Sequence, residues 1–62
     1  MQRYFSKLKE DDIFTLSKED SYHIIRVMRM NKQDKVEVVD DQKEYICEII
    51  SLGENVKCKI LE

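Results

Sequence analysis

The chain has 62 residues and a net charge of −2; 42% of its residues are hydrophobic and 39% charged, with one Gly and no Pro. That length allows a single domain (residues 1–62), which buries only about 60% of the surface its unfolded form exposes and holds net stability on the order of 3–5 kcal/mol. It excludes a membrane-spanning helix, because the apolar runs are only two or three residues long, and it argues against a complete enzyme, because a substrate pocket of roughly 300 Å³ would consume much of the core.

The N-terminus Met1-Gln2-Arg3-Tyr4 has no apolar stretch of the kind a signal peptide needs, so the expected location is the cytoplasm. Arg3-Tyr4-Phe5 reads as a short extended segment whose two aromatics point to opposite faces, with Phe5 expected in the core. Lys7 to Asp12 is a charged loop. Within it Glu10-Asp11-Asp12 reads as solvated acids, since three consecutive acids on a loop do not converge easily on a metal ion, and no metal site is expected. Ile13-Phe14-Thr15-Leu16 is a β-type run. Ser17 then offers an N-cap, followed by Glu19 and Asp20 in the first turn, where the helix dipole favours acids. Ser17-x-x-Asp20 is a near capping box. The helix should run from about Lys18 to Met28. At about 100° per residue, Tyr22, Ile24, Ile25, Val27 and Met28 share one arc, whereas His23, Arg26 and Arg29 form a stripe along the edge of the other. Asn31-Lys32-Gln33-Asp34 is a turn.

Three strands follow. Val36 and Val38, then Tyr45, Cys47 and Ile49, then Val56, Cys58 and Ile60 each alternate with residues pointing the other way, the period of a strand with one buried face. A two-residue turn at Asp41-Gln42 pairs Asp40 with Lys43, Val38 with Tyr45 and Val36 with Cys47. A two-residue turn at Leu52-Gly53 would pair Ile49 with Val56, Cys47 with Cys58 and Tyr45 with Ile60. A one-residue slip in either would expose the apolar set. The predicted core layers are Val36/Cys47/Cys58 and Val38/Tyr45/Ile60. The two cysteines lack metal-binding spacing and are expected as buried free thiols. The fold expected is mainly β (small α+β): five short strands in a partly closed barrel, with one helix between the second and third strands. An isolated three-stranded meander would leave Phe5, Phe14 and the helix without a partner.

The residues also resemble a known family. Met1-Gln2-Arg3-Tyr4-Phe5, His23-Ile24-x-x-Val27-Met28-Arg29-Met30, Asp34-x-Val36-Glu37-Val38-Val39-Asp40 and Tyr45-x-Cys47-Glu48-Ile49 look like the N-terminal domain of the small-subunit ribosomal RNA methyltransferase E (RsmE) family. The resemblance runs in order along essentially the whole chain, and the chain stops where the family's first domain would end. It implies a PUA-like β-barrel that serves a C-terminal, dimerising SPOUT methyltransferase domain, absent from these 62 residues. That domain uses S-adenosylmethionine to methylate ring nitrogen 3 of a uridine in 16S ribosomal RNA. The chain departs from the family at Tyr22, where a polar residue or a second His is frequent. It departs again at Gln33 and Asp41-Gln42, turns in which Gly is common, and this leaves those turn conformations open.

The charge is unevenly spread. Residues 1–32 hold seven Lys/Arg and five Asp/Glu, whereas residues 33–62 hold four and eight. Any anion-binding surface is therefore a local patch from the first half. Arg26 and Arg29 could take phosphates with their guanidinium forks, or could sit on a solvated helix face. His23 could join them, pair with Glu19 at i, i+4, or serve as a structural residue at the seam between helix and barrel. Arg3 could meet a phosphate while Tyr4 stacks on an unpaired base, unless Tyr4 fills the core. Lys32 extends the stripe, and Met30 beside it reads as core. Ile46 and Ile50 either pack under the helix or form an apolar patch for the catalytic domain.

The residues carry no Gly-rich cofactor loop and no catalytic constellation, so this chain is expected neither to bind S-adenosylmethionine nor to methylate. Two functions compete. One is an RNA-binding module that positions small-subunit ribosomal RNA through Arg3, Tyr4, His23, Arg26, Arg29 and Lys32, weakly and with strong salt dependence. The other is a structural barrel that docks on the catalytic domain or its dimer mate and has no RNA affinity of its own.

Overall fold

A computed structural model describes all 62 residues. The elements in chain order are β1 (Arg3–Phe5), β2 (Lys9–Glu10), β3 (Ile13–Thr15), α1 (Lys18–Tyr22) running directly into a π-helical turn (His23–Val27), β4 (Lys35–Asp40), β5 (Lys43–Ser51) and β6 (Lys57–Ile60). There are six strands, not five, because the charged loop at Lys7–Asp12 contributes a short strand of its own. Lys9 and Glu10 fold back on Phe14 and Ile13, with Asp11 taking a left-handed φ of 57° in the turn. One helical segment still separates the N-terminal strands from the last three.

All six strands form one curled sheet in the order β1-β4-β5-β6-β3-β2. The β1–β4 pair is parallel and the others are antiparallel. Ser6 draws the curl together. Its backbone N–H donates to Val39 at 3.1 Å on one side, and its hydroxyl donates to the Thr15 carbonyl at 2.8 Å on the other. The result is a half-barrel consistent with a PUA-like barrel. Its interior holds Tyr4, Phe14, Leu16, Ile24, Val36, Val38, Cys47, Ile49, Val56 and Cys58, with Ile25, Met30, Tyr45 and Ile60 half-buried against them.

The first hairpin has the predicted register, with Val36 opposite Cys47, Val38 opposite Tyr45 and Asp40 opposite Lys43. Asp41 makes the tight turn possible by adopting a φ of 60°, which its short polar side chain tolerates better than most. The second hairpin differs from expectation. Cys47 lies opposite Ile60, Ile49 opposite Cys58 and Ser51 opposite Lys57, with a bulge between Ile49 and Ser51. The pairing has slid by two residues, so the same side chains face inward, but the cysteines no longer sit directly opposite one another. The cause is Val56. Instead of pairing with Ile49, its carbonyl accepts from Leu16 N–H at 2.9 Å and its N–H donates to the Ser21 hydroxyl at 2.8 Å. The start of the helix takes Val56 out of the ladder.

The helix begins as its sequence requires, with the Ser17 hydroxyl accepting from Asp20 N–H at 3.1 Å. Its burial is not that of the predicted arc. Ser21 and Ile24 face the barrel, Ile25 is half-buried, and Tyr22, Val27 and Met28 are exposed. Phe5 is also exposed and Tyr4 is buried, the reverse of the preference for Phe5 as core. Tyr4 sits next to Val38 in the parallel pair and shares its inward direction, whereas Phe5 pairs with Val39 on the outer side.

Two measurements test this account. Ser21→Ala leaves a buried Val56 N–H without a partner, which costs about 1–3 kcal/mol. Ser17→Ala removes a solvent-exposed cap and costs about 1 kcal/mol. Urea denaturation should therefore rank Ser21→Ala as the more damaging change. Burial also pushes the Cys47 thiol up to about 11 and the Cys58 thiol, with Cys47 beside it, up to about 12, from an ordinary value of 9.0. Above pH 9 the unfolded chain releases these protons while the fold retains them. Stability is thus unaffected by the thiols below about pH 9 and falls as pH rises toward 11 and 12. Denaturation midpoints across that range should decline less steeply in Cys58→Ala.

Candidate nucleic-acid interface

The predicted site residues separate into three groups. Arg3 is on β1, where its Nε donates to Glu37 at 2.9 Å and its Nη2 lies 3.4 Å from Glu44. The hydrogen bond to Glu37 and the charges of Glu37 and Glu44 raise its pKa. Its charge is matched within the outer face of the sheet, so it is poorly placed to add to an anion-binding surface.

Tyr4 and His23 form the second group. Tyr4 is buried, and its hydroxyl is 2.9 Å from His23 Nδ1, with the rings edge-on at 5.9 Å. Burial, then Asp20 and Cys58, push the Tyr4 hydroxyl up. A ring enclosed in the core offers no face for a base, so Tyr4 does not fit the stacking role. His23 connects the helix to β1, the seam role considered for it, rather than pairing with Glu19.

Arg26, Arg29 and Lys32 remain on the surface, and all three are exposed. Arg26 and Arg29 line one depression together with Tyr22, Ile25, Met30 and Leu52. Lys32 lines a different one with Gln33, Glu48 and Ile50. Neither Arg26 nor Arg29 takes part in an ion pair; the salt bridges are Arg3 with Glu37 and Glu44, and Lys18 with Glu54. The chain carries 13 Asp and Glu, yet none lines the depression that Arg26 and Arg29 share. Two unpaired guanidinium groups there have their donors free for an anionic ligand.

The local backbone explains how two arginines three apart reach one depression. The π turn closes with Met28 N–H donating to the His23 carbonyl at 2.8 Å, one residue further than in an α-helix. Arg29 then takes a left-handed φ of 53°, and Met30 N–H returns to the Ile24 carbonyl at 2.9 Å. The chain turns back under the helix end, with Met30 packed against the core. Gln33 is also left-handed, at a φ of 78°, and its N–H donates to Ile49 at 2.8 Å. Gln33 and Asp41 therefore hold the positive φ that a glycine would, at the two turns where the family commonly has one.

The residue missed in the sequence is Tyr22. Helical periodicity assigns it to the apolar arc, but it is 64% exposed and lies on the rims of three neighbouring depressions. Its flanking basic residues at i−4 and i+4, Lys18 and Arg26, were the available signal. Ile46 and Ile50 do not lie under the helix; they are half-buried on the sheet face opposite Cys47 and Ile49 and are not part of the core packing.

A family model described as the RNA methyltransferase PUA domain matches residues 16–61. The ribosomal RNA small subunit methyltransferase E of Bacillus subtilis (strain 168) is 36% identical over 69 aligned residues, which cover 100% of this chain and 27% of that protein. A crystal structure of a hypothetical protein superposes with a TM-score of 0.88 at 35% identity, covering 98% of this chain and 28% of that one. The ribosomal RNA small subunit methyltransferase E of Neisseria gonorrhoeae, bound to S-adenosyl methionine, superposes with a TM-score of 0.78 at 15% identity, covering 100% and 27%. At that identity the likeness is one of fold. The chain thus spans roughly a quarter of the length of the relatives it matches.

The left-handed Arg29 generates a stability prediction. A non-glycine residue there is strained by about 1–2 kcal/mol, and glycine returns about 0.4–1 kcal/mol of that through a freer unfolded chain. Arg29→Gly should therefore be as stable as the parent or up to about 1.6 kcal/mol more stable, and should exceed Arg29→Ala, which keeps the strain. Thermal melts of the three proteins check the order.

Proposed function

The chain belongs to the RNA methyltransferase PUA domain family, and from that membership we propose that it binds and positions small-subunit ribosomal RNA for an S-adenosylmethionine-dependent methyltransferase domain. The carrying observation is the Arg26–Arg29 edge, two guanidinium groups without an ion pair around a depression that no carboxylate lines. In a chain of net charge −2, such a local field is what an anionic polymer can use. The finer reading follows the family resemblance in the sequence: the RNA is 16S ribosomal RNA, the reaction is methylation of uracil N3, and the site of action is the cytoplasm. The catalytic domain is of the SPOUT type and the whole enzyme acts as a homodimer. Within this reading Arg26 and Arg29 take backbone phosphates, Lys32 adds an outlying charge, and His23 serves by holding the helix against β1. Arg3 contributes little, because Glu37 and Glu44 hold it.

A second reading, docking on the catalytic domain without RNA affinity, has one observation in its favour. Met1, Phe5 and Leu61 are large apolar side chains exposed by 75%, 66% and 44%, and none of them lines the depression that Arg26 and Arg29 share. Shift changes at these residues with a separated methyltransferase domain, and none at Arg26 or Arg29 with RNA, would favour it.

The test is titration of a labelled 16S ribosomal RNA fragment with the parent chain and the Arg26→Ala/Arg29→Gly double variant over a series of salt concentrations. Each phosphate contact contributes about 0.9 to the slope of log affinity against log salt. The double variant should bind more weakly and with a slope shallower by about two. Equal affinity and slope would remove the arginine edge from the interface.

A further inference from the structure

Tyr22 is a large aromatic side chain left 64% exposed on the helix of a small domain. Exposed hydrophobic residues are ordinary when scattered singly, but the surroundings of this one are organised. Lys18 and Arg26 lie one turn before and one turn after it on the same helical face. On its Arg26 side, Ile25, Met30 and Leu52 supply an apolar floor, and Arg26 and Arg29 supply a cationic rim. Ile25 and Met30 are packed against the core, so the floor is firmly backed. Acidic residues also lie near Tyr22: Glu54, 3.7 Å from Lys18, lines a depression with Tyr22, Ile25 and Arg26, and Glu19 lines another, but none lines the depression that Arg26 shares with Arg29.

An apolar floor under one face of an exposed ring, with unpaired guanidinium groups beside it, matches the two halves of a nucleotide. The base has an apolar π-face that stacks on an aromatic side chain, and the phosphate accepts from the arginines. A paired base in a helix keeps its faces covered by its neighbours, so this arrangement suits an unpaired one. A protein partner is less well served, because the rim is of one sign and its arginine forks match phosphate geometry. We propose that Tyr22 is the stacking platform for an unpaired nucleotide of the bound RNA, with Arg26 and Arg29 holding the adjacent phosphates. The proposal rests on the RNA-binding reading above and adds to it the kind of RNA element recognised, a single-stranded one.

The experiment compares the parent chain with Tyr22→Ala, Tyr22→Phe and Tyr22→Trp, using an oligouridine single strand and an RNA duplex of equal length at low salt. Tyr22 makes no hydrogen bond that the fold uses, so circular dichroism should be unchanged in all three. Loss of one stacked base is worth about 1–3 kcal/mol, or roughly 5- to 150-fold in affinity. Tyr22→Ala should lose that much on the single strand, keep the same salt slope, and change little on the duplex. Tyr22→Phe should bind as the parent does. Tyr22→Trp should bind at least as tightly, with its indole fluorescence, the only one in the chain, quenched by the single strand. If the parent binds RNA and Tyr22→Ala binds it equally well, or if the indole is not quenched on binding, the platform is overturned and the arginine reading stands. If the parent binds neither RNA, both fall together.

Discussion

The Ser21 hydroxyl joins the helix to the sheet. It donates to the Ser17 carbonyl at 2.7 Å and accepts from Val56 N–H at 2.8 Å, in a residue only 2% exposed. Leu16 N–H to the Val56 carbonyl and Asn55 Nδ2 to the Leu16 carbonyl, at 2.9 and 3.0 Å, complete the junction. Buried polar groups in so small a core must be satisfied or they cost a large share of the net stability. Three consequences follow from meeting that demand here. Val56 leaves the β5–β6 ladder, the second hairpin slides by two residues, and the helix is rotated so that Ser21 and Ile24 point inward.

That rotation places Tyr22 and Arg26 outward. Tyr22, the next residue and about 100° from Ser21 around the helix, falls on the exposed side. The π turn that follows delays the return of the backbone by one residue, and the left-handed Arg29 reverses the chain. The exposed edge is therefore a product of a buried contact on the opposite side of the helix. The strain at Arg29 belongs with this geometry, since left-handed bulky residues persist where surrounding structure over-determines them.

Electrostatics then distinguish arginines that look equivalent in composition. Arg3 has two carboxylates across the sheet, Glu37 and Glu44, and most of its field is cancelled at short range. Arg26 and Arg29 form no ion pair, although Glu54 lines a depression beside Arg26. A chain with a net negative charge can thus present a local positive edge, because in salt the field at a surface is set by charges within about 10 Å rather than by the total. Relatives that share the fold have a far longer chain, of which these 62 residues match roughly a quarter.

The alternating pattern of Val36, Val38, Tyr45, Cys47, Ile49, Cys58 and Ile60 was sufficient to place the last three strands and their inward face, because the side-chain period of a strand is a local property. Ser17 as an N-cap, the first hairpin's register and the position of the helix between strands were legible for the same reason. The ordered residues from Met1 to Ile49 were also sufficient to identify the family. The choice between Tyr4 and Phe5 for the core, the slide of the second hairpin, the additional strand β2 and the outward turn of Tyr22 were not legible. Apart from β2, a local hairpin of Lys9 and Glu10 on Phe14 and Ile13, each depends on a contact between residues distant in sequence: β1 against β4, Val56 against Leu16 and Ser21, and the Tyr4 hydroxyl against His23. The sequence by itself determined which elements form and which faces are apolar. Only the tertiary structure decided which arginines keep a free charge and which aromatic is left outside, because pairing and burial are settled by neighbours that local periodicity does not reveal.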